Sequence, residues 1–585
     1  MTKIIALELE NFQSIESRTR IDFKPITMLF GPNSAGKSSI FDALELFRTL
    51  LDPTKFDKRR ITEMVDRWAR RSDHSKKIRE TRLVIEFEVD FSEEPHEMWN
   101  ENNSNLGAYS SNGYGLSFWW DEETLEEEDL VGSKNIIRIE ICLQVQNFKS
   151  STICRINEAV CKLNNSDLLR LSIAPVAKSE DQNIPIENGI KEKGERWLTL
   201  YRISKNIFLD NSISQQFLAR KILKPDSDSF GTEIFTMHVE CGLSLFELTP
   251  SLFGFDKYGL GLEILGPMIC QNATDIFFYL GTTFYKPLRS GPGLVRSDRR
   301  TPTPTEALAV VDLNLGGWWS RDSLSPSSPA FLLKAQSSGV DEHFQRLAEL
   351  THAELLLKAV NADFWKDSHA AKYVEEVRPL ANQLERINIH LEESLFREKL
   401  YKLSCVSTLM VPIDLNENDP MGFYAFAQPA AVRLLLQDQS GQKIELQDVG
   451  TGIPFVLPVL YAATSKSFAM IQQPELHLHP ALQSQIGDVF IEESNNCETT
   501  HFLIETHSEH LLLRLLRRIR DTEKGKSISD SLKLTNEKIA IYYFDPQISG
   551  PTSVTGLPIT PLGDFYTDWP RGFFEERNDD LFDKE

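Results

Sequence analysis

The 585-residue chain predicts an α/β fold whose core is built from both ends of the sequence, with a helical insertion between them. Three observations predict it. A glycine-containing turn, GPNSAGKS at 31–38, separates a strand-like segment from a helix-like one near the start. The last third alternates short apolar runs with helix-like segments, the pattern of an α/β core. Between these ends, residues 341–404 place Phe344, Leu347, Leu350 and Leu357 at helical spacing.

Taken in order, residues 3–11 and 19–30 read as two strands, leading into the turn and a helix over about 37–51. A basic segment follows at 55–82, with eleven Lys or Arg against five acids. It reads as a solvated helical face, or as a contact surface for phosphate backbone or an acidic partner. Strands resume at 81–91 and 135–148, around an insertion holding the acidic run 121–130. No element can be placed from the pattern of 151–280. The stretch 289–329 is rich in Pro, Ser, Gly and Thr and reads as a long loop. A hairpin is expected from 432–437 and 443–446 around the turn DQSGQ. The domains expected are 1–290 and 411–585, two parts of one head, and 291–410, a linker with the helical insertion.

A chain of this length supports roughly two to four domains. The net charge of −22 argues against nucleic acid along the whole surface, while leaving room for a local basic groove. Seven scattered cysteines, with no CxxC pair, fit neither a disulfide framework nor a zinc site and suit a reducing cytoplasm. The alternating N-terminus carries Glu8 and Glu10 and reads as a strand rather than a signal peptide. The apolar stretch 453–471 is interrupted by Pro458 and by Thr464-Ser465-Lys466, so no membrane span is expected.

Residues 31–38 match G-x-x-x-x-G-K-[ST] in full. Gly31 and Gly36 let the backbone curl, so that N–H groups around Asn33 and Ser34 converge on phosphate oxygens at a helix N-terminus. Lys37 reaches the terminal phosphates, Ser38 offers a hydroxyl to Mg²⁺, and Ser39 follows at the helix start. ATP with Mg²⁺ is therefore the expected cofactor pair.

Near the other end stand three more segments: LQDVGTGIPFVLP at 446–458, the strand-like FAMI followed by QQPELHLHP at 472–480, and HFLIETHSEH at 501–510. In this order, after a long insertion, they resemble the SMC-like and RecF-like branch of ABC-type AAA ATPases, especially the bacterial group related to OLD proteins. The resemblance is specific over about 1–51 and 446–585. It implies an ABC/SMC-type P-loop ATPase head, with Glu475 as the catalytic glutamate that polarises water and His507 as the switch histidine at the terminal phosphate. Gly450 and Gly452 resemble signature glycines that cap the nucleotide of a second subunit, which implies a homodimer or higher homo-oligomer. Three positions depart from the pattern. Gln472 stands where an acid holds the water shell of the metal, Gln473 where a second acid is usual, and Pro454 at the signature serine. The expectation is slow hydrolysis, or hydrolysis activated only in a complex.

Taken alone, Glu475 also reads as a helix N-terminal acid, His507 and His510 equally as cap and surface residues, and His477 with His479 suggests a metal pair but lacks a third ligand. Lys286, Arg289 and Arg296 form either a loop or a stretch facing phosphate or a partner, and Arg514, Arg517 and Arg518 a helical face over an apolar core. Trp569, Phe573 and Phe574 are expected to pack on the core. About 75 residues follow the switch histidine, too few for the nuclease domain that OLD-type proteins carry there. The expectation is a cytoplasmic ATP-gated switch or sensor in bacterial anti-phage defence, acting on a separate effector such as a nuclease. The alternatives are a DNA-repair ATPase that clamps DNA and an ATP-stabilised scaffold; nucleic-acid binding stays open and membrane binding is not expected.

Overall fold

The computed structural model describes residues 2–51, 78–90, 134–147, 152–164, 166–175, 197–204, 234–241, 248–250, 294–299, 308–309, 342–359, 368–397, 399–410, 428–547 and 550–567, with isolated positions at 61, 63 and 65. Of the basic segment 55–82 only 61, 63, 65 and 78–82 are described, and the acidic run 121–130, Lys286, Arg289, Trp569, Phe573 and Phe574 lie outside the described residues.

The chain opens with β1 (Thr2–Glu10), β2 (Thr19–Asp22), β3 (Ile26–Phe30) and helix α1 (Ser38–Leu51). The single strand expected over 19–30 is thus two strands, and they enter different sheets. Pro25 breaks the ladder because it has no N–H to donate. Thr27 fixes the corner, its hydroxyl accepting from Lys24 N at 2.9 Å.

β1 and β2 join a nine-stranded antiparallel sheet completed by β4 (Ile78–Asp90), β5 (Lys134–Asn147), β6 (Thr152–Leu163), β7 (Ser166–Pro175), β8 (Trp197–Ser204), β9 (Ile234–Cys241) and β10 (Leu248–Pro250). Five of these strands come from the stretch the sequence pattern left unassigned. On one face, Arg18, Arg20 and Arg138 clamp Glu8 and stitch β1, β2 and β5 together. Burial disfavours a charge on Glu8, but hydrogen bonds from Arg138, Arg18 and Arg20 hold its carboxyl at about 2.

A second sheet takes β11 (Leu308–Ala309), β12 (Lys402–Met410), β13 (Gln428–Gln437) and β14 (Lys443–Glu445). The expected hairpin is there. Asp438 Oδ1 accepts from Ser440 N and Gln442 N, each at 2.9 Å, and Gly441 turns the chain at φ +83°.

The third sheet contains β15 (Phe468–Gln472), β16 (His501–Glu505), β17 (Ile539–Asp545) and β18 (Ser553–Gly556), in the order β15-β16-β3-β17-β18. The first four of that order run parallel. ITMLF and HFLIE are buried along their whole length, as strands covered on both faces must be. Strands from the last third therefore flank the strand that precedes the phosphate loop.

Around this sheet lie α2 (Glu342–Ala359), α3 (Ser368–Ile389), α4 (Gly452–Ala463), α5 (Pro480–Asn496) and α6 (Glu509–Glu523). One apolar cluster joins Met28 and Phe30 to Phe344, Leu384, Leu434, Val456, Ile471, Ile504 and Ile541, so the inserted helices and the parallel sheet share a core. A buried polar knot fastens the end of α3 to α5: Arg386 pairs with Glu493, and His390 Nε2 lies 2.7 Å from Glu493 Oε1. Arg518 makes a two-pronged bond to Asp488, which locks α6 to α5 and accounts for part of the arginine-rich helix face. Among the described residues no helix is long and apolar enough to cross a membrane.

Candidate nucleotide site

The carboxyl ends of β3, β15 and β16 lie level. Gln472 is in register with Glu505, and Glu505 with Leu29, two residues before Gly31. In open parallel sheets this edge is where ligands bind.

The turn after β3 is held tightly. Gly31 has φ +142° and Gly36 φ +91°, and a side chain at Gly31 would meet the Phe544 carbonyl of β17 at 2.4 Å. Thr552, 517 residues along, supports the turn from behind, its hydroxyl donating to Ala35 O at 2.9 Å. Ser39 is buried and donates to Gln13 Oε1 at 2.9 Å, so it braces the loop from inside. Asn33, Ser34 and Ser38 are exposed at the loop surface, with Ser34 in the left-handed region at φ 62° and Ser38 opening α1.

Lys37 is only 3% exposed. Its ammonium donates to Gly31 O and Pro32 O, each at 2.9 Å, and lies 3.6 Å from Glu505 Oε1. Burial pushes the Lys37 pKa below its ordinary value and that of Glu505 above, each effect opposed by the partner's charge. Gln472 Nε2 donates to Glu505 Oε2 at 3.1 Å, and its Oε1 accepts from Ser297 N at 3.4 Å. Glu505 thus touches both Lys37 and Gln472. Reading the sequence assigned it no role, although the signal was present in an acid ending an apolar strand just before Thr506-His507.

Glu475 lies in the turn after β15, where Gln473 and His477 have φ 47° and 59°. Its carboxylate accepts from Thr506 Oγ1 and from His507 N, both at 2.8 Å. Burial raises its pKa, partly offset by these bonds. The bonds draw Glu475 and His507 into one unit. Burial, and then the charge of Lys37, lowers the His507 pKa below its ordinary value, and its buried Nε2 has no hydrogen-bond partner among the described residues.

His479 caps α5 by accepting from Ala481 N at 3.3 Å, and Ser508 caps α6 by accepting from Leu511 N at 3.1 Å. His477 packs its ring on Phe455, 4.3 Å between centroids, and His510 is exposed. Among the described residues no three His, Cys, Asp or Glu side chains cluster to hold a metal.

Gly450 is exposed just before α4, with nothing within 4 Å of a side chain built on it, and Gly452 opens the helix over the His477 carbonyl. Pro454 falls in the first turn of α4, where its missing N–H costs no helical bond. Helix α4 is tied to the site by Arg299, which is not in the basic set singled out from sequence. Its guanidinium donates to Phe455 O, Gln472 O and Gln473 O at 3.0, 2.9 and 2.7 Å. Arg296, three residues earlier, is exposed.

A profile described as the AAA ATPase domain family matches residues 2–229 and 333–512. Among solved structures the chain is similar to an Smc head bound to the C-winged helix domain of ScpA, at 11% identity and TM-score 0.36 over 95% of this chain and 98% of that one. It is also similar to a Pyrococcus furiosus Smc head with an extended coiled coil bound to the C-terminal domain of ScpA (12%, TM-score 0.33, 99% of each chain). A third likeness is to an SMC head from Thermotoga maritima (9%, TM-score 0.27, 95% of this chain and 99% of that one). At these scores the likenesses bear no weight on function. No curated protein matches the sequence.

Proposed function

This chain belongs to the AAA ATPase domain family, and from that premise we propose that it is a nucleotide-gated switch. It binds ATP with Mg²⁺ at the phosphate loop, hydrolyses it slowly and joins its heads into a homodimer or larger homo-oligomer while nucleotide is bound. The observation that supports this most is the convergence of Lys37, Glu505 and the His507 Nε2, partnerless among the described residues, at the ends of parallel strands.

A triphosphate fits these residues. Lys37 donates to loop carbonyls that phosphate oxygens can replace as acceptors, and His507 Nε2 is a buried polar atom in need of a partner. Mg²⁺ fits as well. It keeps several waters and takes one or two carboxylates beside the phosphates, and exposed Ser38 adds a hydroxyl. When bound, the ion neutralises charge on the terminal phosphates.

The chain's own residues do the rest. Lys37 binds the phosphates, and His507 offers its Nε2 to the terminal one. Glu475 is the general base: burial raises its basicity, and a carboxylate offers about four acceptor positions, more than the bonds from Thr506 and His507 take up. Because the same group must hold the His507 turn, turnover is slow. Gly450 and Gly452 face a second copy and cap its nucleotide.

The test is equilibrium binding of a fluorescent ATP analogue beside Mg²⁺-dependent phosphate release. Lys37→Ala is expected to abolish both. Equal binding by wild type and Lys37→Ala overturns the reading. The finer setting, control of a separate effector in anti-phage defence, rests on the likeness of the motif order to OLD-related ATPases. Cells carrying the protein with its neighbouring genes should resist phage, and Lys37→Ala should remove that resistance; protection that survives the substitution refutes it.

A further inference from the structure

The strand that leads from α4 into the site ends in an amide, not an acid. Only the oxygen of Gln472 can face a cation or a metal-bound water, and that oxygen accepts from Ser297 N at 3.4 Å. Its nitrogen points the other way, to Glu505 Oε2 at 3.1 Å. Glu505 sits directly across the parallel ladder from Gln472, at the last position of β16. Its second oxygen, Oε1, is the carboxylate oxygen in ion-pair contact with Lys37. Glu475 is placed differently, since both its oxygens accept from the turn that carries His507.

We propose that Glu505, carried on β16, supplies the negative charge that a divalent cation at the phosphate loop requires, with Gln472 as the residue that positions it. The acid stands one strand across the sheet from the amide. Adjacent strands lie about 4.8 Å apart, a shift that one side chain and one water of the cation's shell can span. Mg²⁺ tolerates this because it is commonly held through its own waters and needs few direct protein oxygens. The arrangement also gives Gln472 a purpose: its amide nitrogen holds Glu505 toward the loop without adding a second charge that would repel it.

The inference rests on the nucleotide-binding reading, and the experiment separates the two. A fluorescent ATP analogue is titrated into wild type, Glu505→Gln, and the swap Gln472→Glu/Glu505→Gln, each in EDTA and in Mg²⁺. Bound Mn²⁺ is counted independently by electron paramagnetic resonance. Wild type should bind more tightly with Mg²⁺. Glu505→Gln should lose about 10–100-fold of metal affinity yet bind at least as well in EDTA, because a negative charge beside the phosphates has gone. The swap, which returns the carboxylate to β15 and preserves an amide–carboxylate pair, should recover the Mg²⁺ gain.

Glu505→Gln retaining the full Mg²⁺ gain and Mn²⁺ count overturns the proposal, as does a swap that folds and recovers nothing. A purely structural Glu505 would lose binding with and without metal, and that outcome also overturns it. If Glu505→Gln does not fold, judged by its thermal midpoint, the swap alone decides. If wild type binds no nucleotide in either condition, the functional reading falls and takes this proposal with it.

Discussion

Gly31→Ala is the sharpest test of the loop geometry, because its cost follows from two distances and one angle. Gly31 has φ +142°, which a residue with a side chain rarely adopts, and the new methyl would lie 2.4 Å from Phe544 O and 3.1 Å from Phe544 Cβ. Holding a non-glycine residue there costs about 1–3 kcal/mol. The obstacle is a backbone carbonyl inside a β-ladder, so it cannot rotate away. The loop must retreat by about 1 Å to reach ordinary contact, and disturbed packing of this kind adds about 1–3 kcal/mol. The expected total is about 2–6 kcal/mol, with loss of ATP binding because Lys37 bonds to the carbonyl of Gly31 itself.

Gly36→Ala meets Ser14 Oγ at 1.9 Å and Ser14 Cβ at 3.0 Å; the hydroxyl can turn away while the Cβ stays tight, so its cost, set by φ +91° and this contact, should be smaller than that at Gly31, where the obstacle is a backbone carbonyl. Gly450→Ala meets nothing within 4 Å and should stay within about 0.5 kcal/mol of wild type. Urea denaturation gives the three values and a fluorescent ATP analogue the binding. A Gly31→Ala protein as stable and as competent as wild type, or an order with Gly450 first, refutes the loop–β17 contact.

Glu475→Gln can keep the bond from His507 N while losing basicity, so phosphate release should fall about 10²–10⁴-fold with nucleotide affinity nearly unchanged; turnover within threefold of wild type removes Glu475 as the base. Arg299→Lys keeps the charge but cannot fork to Phe455 O, Gln472 O and Gln473 O together, and should lower stability by about 2–3 kcal/mol in the same urea assay. An unchanged midpoint would mean that this clamp is slack. His501 is buried beside Lys3 with its pKa lowered from 6.5 to about 4, first by burial and then by that charge. The folded state therefore takes up its proton later than the unfolded one. Stability is complete above pH 6.5 and falls toward pH 4 with a slope of at most about 1.4 kcal/mol per pH unit. His501→Leu should flatten denaturation midpoints over that window; an identical slope in the variant would exclude His501 as the source.

The phosphate loop was fully legible in the sequence because its chemistry is local. Glycines needing positive φ, a lysine and a helix start lie within eight consecutive residues. The apolar runs FAMI and HFLIE were legible for a similar reason, since strands buried on both faces carry near-continuous apolar residues. The strand over 19–30 was misjudged at Pro25, whose effect is to send two halves of one apolar pattern into different sheets. The strands of 152–250 went unseen because their alternation is too weak to separate from loop without partners to pair with.

The sequence by itself determined that this chain carries a phosphate loop in an α/β core, since residue type and spacing along a few turns of backbone settle that question. Only the tertiary structure decided which acid meets Lys37. Glu505 reaches it through the parallel register of β16 with β3, a pairing between residues more than 470 positions apart. Likewise Thr552 and Arg299 serve the site only because folding brings distant backbone carbonyls within hydrogen-bond reach. Long-range pairing of this kind is fixed by the summed burial of whole strands, so a residue's type and its sequence neighbours do not say which distant residue it meets.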